Sequence, residues 1–167
     1  MADLISDYLA SQSITRAMTN LGGNIRVMTG AGETGWKVGL QQPFGRSDQL
    51  LGVISTDNSS VVTSGVYERY FVADGKHYHH ILDPLSGYPL DNDLLSVTVI
   101  SPLSIDGEIL STQLYGMGLE RGCQWLTTRP DIDAIFVTRD RQVVAPAQRR
   151  FRLQRLPWSE TLTAAQG

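Results

Sequence analysis

Short runs of alternating apolar and polar residues dominate the chain. Gly, Pro, Asn and Asp interrupt them often enough to predict strands joined by turns. Leu21-Gly22-Gly23-Asn24 makes the first clear break, and Ile25 to Met28 reads as a strand after it. Ile14 to Leu21, just before the break, fits a helix or a strand equally. Thr34 to Leu40 is a strand closed by Pro43. Leu50 to Ser55 and Val61 to Ser64 are two more, joined through Asp57-Asn58. Val66 to Ala73 and Lys76 to Leu82 flank Asp74-Gly75, a strong hairpin signal because a type I′ turn demands the positive φ that glycine accepts. Leu95 to Ser101 is a β-branched run of the kind buried on both faces. Ile132 to Val137 and Gln142 to Ala145 form a last hairpin over Arg139-Asp140.

Helical periodicity is confined to two regions. Leu4, Ile5, Tyr8 and Leu9 fall on one stripe of an amphipathic helix at the start of the chain. A longer helix follows Ser104 and reaches about Leu119, with Ile105, Ile109, Thr112, Leu114 and Tyr115 near its inner side. Another spans roughly Glu120 to Thr128 and ends before Pro130, because the residue preceding a proline is pushed out of helical geometry. Strands linked by short turns, with a helical pair inserted among them, indicate an α+β fold: an antiparallel sheet with packed helices. At 167 residues the chain suits one domain, 1–167, with a substantial core.

Composition narrows the partners. A net charge of −3 argues against nucleic-acid binding as a general function. The basic residues are nonetheless uneven: Arg139, Arg141, Arg149, Arg150, Arg152 and Arg155 crowd the C-terminal end, as a solvated strand and tail or as a surface for an anion or a partner protein. Cys123 is the single cysteine, so no internal disulfide forms. No apolar run approaches the ~18 residues of a membrane span, and localisation stays open.

The candidate chemistry gathers around one hairpin. All three histidines, His77, His79 and His80, lie in it, followed by Asp83-Pro84 and Ser86-Gly87. His77 and His79 share one strand face, a spacing that suits two metal ligands, although no cysteine or further histidine joins them. His80 points the other way, as a core histidine held by a backbone hydrogen bond or as a reactive group. Asp83 alone reads as a turn residue. Glu108 and Thr112, four apart on one helix, face the same way; a carboxylate and a hydroxyl so placed suit Mg²⁺, and are equally an ordinary helix surface.

The combination is more specific than its parts. Val62-Thr63-Ser64-Gly65, Tyr67-Glu68-Arg69-Tyr70-Phe71, Asp74-Gly75 and Tyr78-His79-His80-Ile81-Leu82-Asp83-Pro84-Leu85-Ser86-Gly87-Tyr88-Pro89 resemble, in order and spacing, the signature of the ApbE-type FAD:protein FMN transferases. Asn20-Leu21-Gly22-Gly23-Asn24-Ile25 looks like that family's L-G-G-[ND]-I turn. Ser96-Val97-Thr98-Val99-Ile100 and Glu108 to Thr112 look like its S-V-T-V strand and D-x-x-x-T helix. The resemblance spans about residues 2 to 145 and implies an ApbE-like (T-fold-like) architecture.

What the resemblance implies can be carried over residue by residue. Members of the family split FAD, release AMP and attach FMN to a threonine of a partner flavoprotein; some hydrolyse FAD instead. FAD is thus a substrate and Mg²⁺ the cofactor. Thr63, Ser64 and Gly65 would set hydroxyl and N–H donors against the nucleotide, Ile81 would pack on it, and Asp83 would fix the loop. His80 would be the base or orienting group for the incoming threonine. Glu108 and Thr112 match the magnesium-binding positions.

Two departures stand out. Glu108 occupies a position where the family has Asp. The family's preceding half, ending in a G-x-x-A-K-G-type segment, has no counterpart here, so the chain resembles the C-terminal portion of a transferase. The alternatives are an FAD pyrophosphatase, a non-catalytic flavin- or nucleotide-binding module, and a structural fragment. A fold cut near its middle is expected to leave apolar faces open, namely the Leu4, Ile5, Tyr8 and Leu9 stripe and the strand from Val97 to Ile100, and so to form a homodimer. Many relatives are lipid-anchored outside the cytoplasm.

Overall fold

A computed structural model describes residues 1–158. In chain order the elements are α1 (Ala2–Ser11), β1 (Ala17–Leu21), β2 (Asn24–Met28), β3 (Trp36–Gln41), β4 (Leu50–Thr56), β5 (Ser60–Gly65), β6 (Tyr70–Ala73), β7 (Lys76–His79), β8 (Leu94–Ser101), α2 (Ser104–Leu126), β9 (Asp133–Thr138), β10 (Val143–Val144) and β11 (Phe151–Arg155). The fold is α+β and its sheets are antiparallel. Of the ambiguous segment Ile14 to Leu21, the part Ala17–Leu21 settles as strand β1, which pairs along its whole length with β2.

The β-branched run in β8 organises the layers. It lies inside a six-stranded sheet of order β1-β2-β5-β8-β9-β10, and alternate side chains leave it in opposite directions. Val97 and Val99, with Ala134 and Phe136 of β9, join Leu110, Leu114 and Tyr115 of α2 in one core. Ile100, with Ile135 and Val137, joins Val38, Leu40, Leu51, Ile54 and Phe151 in a second core under the three-stranded sheet β11-β4-β3. Helix, large sheet and small sheet therefore stack as three layers. The expectation that Val97 to Ile100 would stand uncovered is corrected here: a layer on either side buries the strand.

The helical region divides as its sequence suggested, with Gly118 (φ 76°) breaking α2 between a long first part and a short second one. Its inner face differs from the expected one. Gly107, Leu110, Ser111, Leu114 and Tyr115 are buried, whereas Ile105, Ile109 and Thr112 are exposed. The cause is proximity. A Cβ on Gly107 would lie 2.6 Å from Val62 Cγ2 of β5, so only a small residue lets the helix settle this close to the sheet. Helix α1 likewise turns Ala2 and Ser6 inward and leaves Leu4 and Tyr8, 68% and 65% exposed, in solvent. Its Asp3 caps α2 from outside: Oδ1 accepts from Ser104 N (2.8 Å) and Oδ2 from Ile105 N (3.0 Å). Leu103, the residue that precedes α2, supplies no side-chain cap of its own.

Asp74 and Gly75 adopt φ of 50° and 72°, as the hairpin signal required. Strand β7 ends at His79, so the histidines separate in environment. His77 is exposed against Phe44 and Tyr70. His79 is the buried one, edge-on to Tyr115, and its Nε2–H donates to Leu90 O at 3.1 Å. The core histidine on a backbone hydrogen bond is therefore His79, not His80. His79 Nδ1 is buried without a partner, and burial lowers the imidazole's pKa. Among the described residues no three of His, Cys, Asp and Glu converge as a metal cluster, and no helix is long and apolar enough to cross a membrane.

Two outcomes follow. Gly107→Ala is expected to lower stability by about 1–3 kcal/mol despite its better helix propensity, because the added methyl overlaps a stiff β-branched neighbour; denaturant melts read the loss, and Val62→Ala added to it restores most of the stability. For His79, the unfolded chain binds the proton more readily than the folded one, so stability is complete above pH ~6.5 and falls as pH drops below it. Melting temperature between pH 7.5 and 5.5 should decline more in the parent than in His79→Gln, and equal slopes would remove His79 as the source.

Candidate active site

The end of β5 opens onto a cavity of about 550 Å³. This lies within the size range of small-molecule sites. Thr63, Ser64 and Gly65 form its floor, and because successive strand residues face opposite ways, the cavity wraps around the strand end. On the small-sheet side Thr63 Oγ1 lies 2.8 Å from Thr98 Oγ1, near Val38, Leu40 and Ile54. On the helix side Ser64 Oγ lies 2.8 Å from Ser111 Oγ and 3.0 Å from Thr112 Oγ1. Gly65 is required: a Cβ there would meet the Tyr67 ring at 2.8 Å. The buried Tyr67 phenol has its pKa pushed up to about 12 by desolvation, so it stays protonated at neutral pH.

Helix α2 brings Glu108 and Thr112 to the same wall, one turn apart. Together with Ser64 they present one carboxylate and two hydroxyls, a set of hard oxygens that fits Mg²⁺, an ion that retains waters and takes phosphate oxygens as further ligands. His80 lines the same cavity, just past the end of β7. Its Nδ1 lies 3.1 Å from Arg69 O, and its backbone N–H donates to the same carbonyl at 3.2 Å. A carbonyl only accepts, so Nδ1 carries the hydrogen and Nε2 is left as the basic nitrogen.

Six of the sequence-derived site residues thus meet on one cavity: Thr63, Ser64, Gly65, His80, Glu108 and Thr112. Two do not line it. Ile81 is buried in the core beside Val66 and Leu94. Asp83 shapes the following loop, its Oδ1 accepting from Leu85 N (3.0 Å) and its Oδ2 from Ser86 Oγ (2.9 Å). Those hydrogen bonds hold its carboxyl below the usual pKa. Tyr67, Glu68, Arg69, Asn20, Gly22 and Gly23 were recognised only as motif letters, yet they line the cavity. Thr98, another motif letter, lines it too, whereas nothing singles out Ser111, because a lone hydroxyl in a helix carries no sequence signal.

Comparisons with known proteins bear on the family and the fold. The profile of the ApbE family matches residues 1–136. An FAD:protein FMN transferase of Klebsiella pneumoniae (strain 342) is 51% identical over 156 residues, covering 93% of this chain and 48% of the relative. One from Treponema pallidum (strain Nichols) is 37% identical, covering 88% and 43%. Among solved structures, the ApbE protein of Thermotoga maritima superposes with a TM-score of 0.72 at 30% identity, over 86% of this chain and 47% of that one. The flavin transferase ApbE of Vibrio cholerae gives 0.66 at 29%, over 92% and 46%. The chain spans about half the length of the curated relatives it matches. With its motifs, its layered α+β fold and its family profile in agreement, this chain belongs to the ApbE family.

Proposed function

We propose that this chain carries the catalytic hairpin and metal-binding helix of an enzyme that transfers FMN from FAD to a threonine of a partner flavoprotein, releasing AMP. The observation that carries the reading is the convergence of His80 and the Glu108, Thr112 and Ser64 oxygens on one cavity. Similarity to proteins named FAD:protein FMN transferase supports it.

The chemistry divides between His80 and the oxygens of α2 and β5. The threonine hydroxyl attacks the FMN phosphorus, the bond from that phosphorus to the AMP oxygen breaks, and AMP leaves. His80 Nε2 is the atom suited to receive the hydroxyl proton, since the Arg69 carbonyl occupies the opposite ring nitrogen. Mg²⁺, held by Glu108 and Thr112, would neutralise charge on the phosphate oxygens. Thr63 and Ser64 offer hydroxyls at the floor. Water in place of threonine gives the pyrophosphatase reaction from the same groups. His79 has no part in this scheme; its burial makes it structural, so His79→Ala costs stability.

The test is AMP release from FAD and Mg²⁺ in the presence of a peptide or domain bearing an acceptor threonine. It should be run with the chain alone and within a protein of its relatives' full length. In the active form, His80→Ala should cut release by about 10²-fold or more. Glu108→Gln should raise the Mg²⁺ requirement and lower turnover without changing the melting temperature. Unchanged turnover at limiting Mg²⁺ would take Glu108 out of the site. Homodimerisation rests on a separate observation, the exposed Leu4 and Tyr8 of α1. Sedimentation at micromolar concentration should show at least a dimer that binds FAD weakly, and a monomer binding FAD tightly would contradict that.

A further inference from the structure

The L-G-G-N turn has no role in the reading above, although it meets the site at an atom that matters. Asn24 opens β2, with Leu21 opposite it on β1 and Val62 opposite it on β5. The turn between Leu21 and Asn24 consists of Gly22 and Gly23, both at positive φ (65° and 96°), which a side chain would strain. The Asn24 backbone is therefore fixed by two strands and a tight turn. Its side chain is buried, 7% exposed, and bridges two residues of α2. Nδ2 donates to Glu108 Oε1 at 2.6 Å, and Oδ1 accepts from Ser104 Oγ at 2.7 Å.

We propose that Asn24 is a positioning residue for Glu108, holding its carboxylate toward the cation; the inference rests on the metal reading of Glu108 given above. Chemistry fixes the polarity of the bridge. A carboxylate can only accept, so the amide must turn its NH₂ to Glu108 and its oxygen to Ser104, whose hydroxyl then donates. Ser104 is itself held, since Asp3 accepts from its backbone N–H. One Glu108 oxygen is thereby occupied, leaving Oε2 to the cavity. A glutamate on an exposed helix surface otherwise samples many rotamers, and a tether removes that freedom before any cation arrives. Asn24 does not line the cavity, so it acts through Glu108 and not on the ligand.

Mn²⁺ binding to the 167-residue chain, read by its electron paramagnetic resonance signal, gives the test without reference to turnover. Orienting partners of this kind typically matter 10–100-fold to metal affinity. Asn24→Ala should weaken Mn²⁺ about 10-fold or more, and Ser104→Ala, which frees the amide to swing, by a smaller factor. Neither should add to the loss in Glu108→Gln, because the effect passes through the carboxylate. If Asn24→Ala does not fold, Ser104→Ala with Glu108→Gln completes the cycle. Binding that is lost in Glu108→Gln but unchanged in Asn24→Ala or Ser104→Ala overturns the positioning role alone, as does full additivity. No Mn²⁺ binding by the parent chain, or none lost in Glu108→Gln, overturns the metal reading and this inference with it.

Discussion

The site depends on how closely α2 lies against β5, and that distance is set by one missing side chain. Gly107 brings the helix backbone onto Val62, closer than any Cβ would permit. Only at that separation can Ser64 on the strand reach Ser111 and Thr112 on the helix with hydrogen bonds. A helix held farther away would keep its core leucines packed with adjusted rotamers, but the hydroxyl cluster would open. Steric permission at a buried glycine thus decides polar geometry one turn along.

Two fastenings secure the helix in that place. Asp3 satisfies backbone donors at its first turn, where unpaired N–H groups and the positive end of the helix dipole favour a carboxylate. An external cap of this sort contributes about 1 kcal/mol, comparable to a local one. Arg26 stands 3.5 Å from the same carboxylate; burial lowers its pKa and Asp3 opposes that shift. The other fastening is Asn24, which ties the next turn to β2. Helix, strand and N-terminal segment are therefore joined at one corner of the cavity by hydrogen bonds among residues far apart in sequence.

Much of the fold was legible because the local signals were strong. The Asp74-Gly75 turn, the buried run in β8 and the interruption of α2 near Leu119 are each dictated by nearby residues. The inner face of α2 was misread for a physical reason: an apolar stripe through Ile105 and Ile109 suggested burial, while the sheet selects small residues such as Gly107 and Ser111. Periodicity counts hydrophobicity and has no access to interlayer distance. For His80 the sequence leaves a core role and a reactive one both open, and the structure puts His79 in the core and His80 on the cavity, because strand β7 stops at His79 and alternation ceases to hold at a strand end. Within the site, the motif letters located His80, Glu108 and Thr112. The cross-layer contacts of Ser111, Thr98 and Asn24 belong to tertiary structure alone.

The cap provided by Asp3 has a consequence for the order in which the molecule assembles. Its partners, Ser104 and Ile105, lie 101 and 102 residues away in the chain. During synthesis α1 emerges before α2 and waits while the strands that separate them are made. The loop that must close is long, so the contact is won late and only after the large sheet offers a surface for both helices. Until then the first turn of α2 has open donors and frays. The helix that presents Glu108 and Thr112 is accordingly among the last parts to reach its final form, and its completion reports that both ends of the sheet have come together.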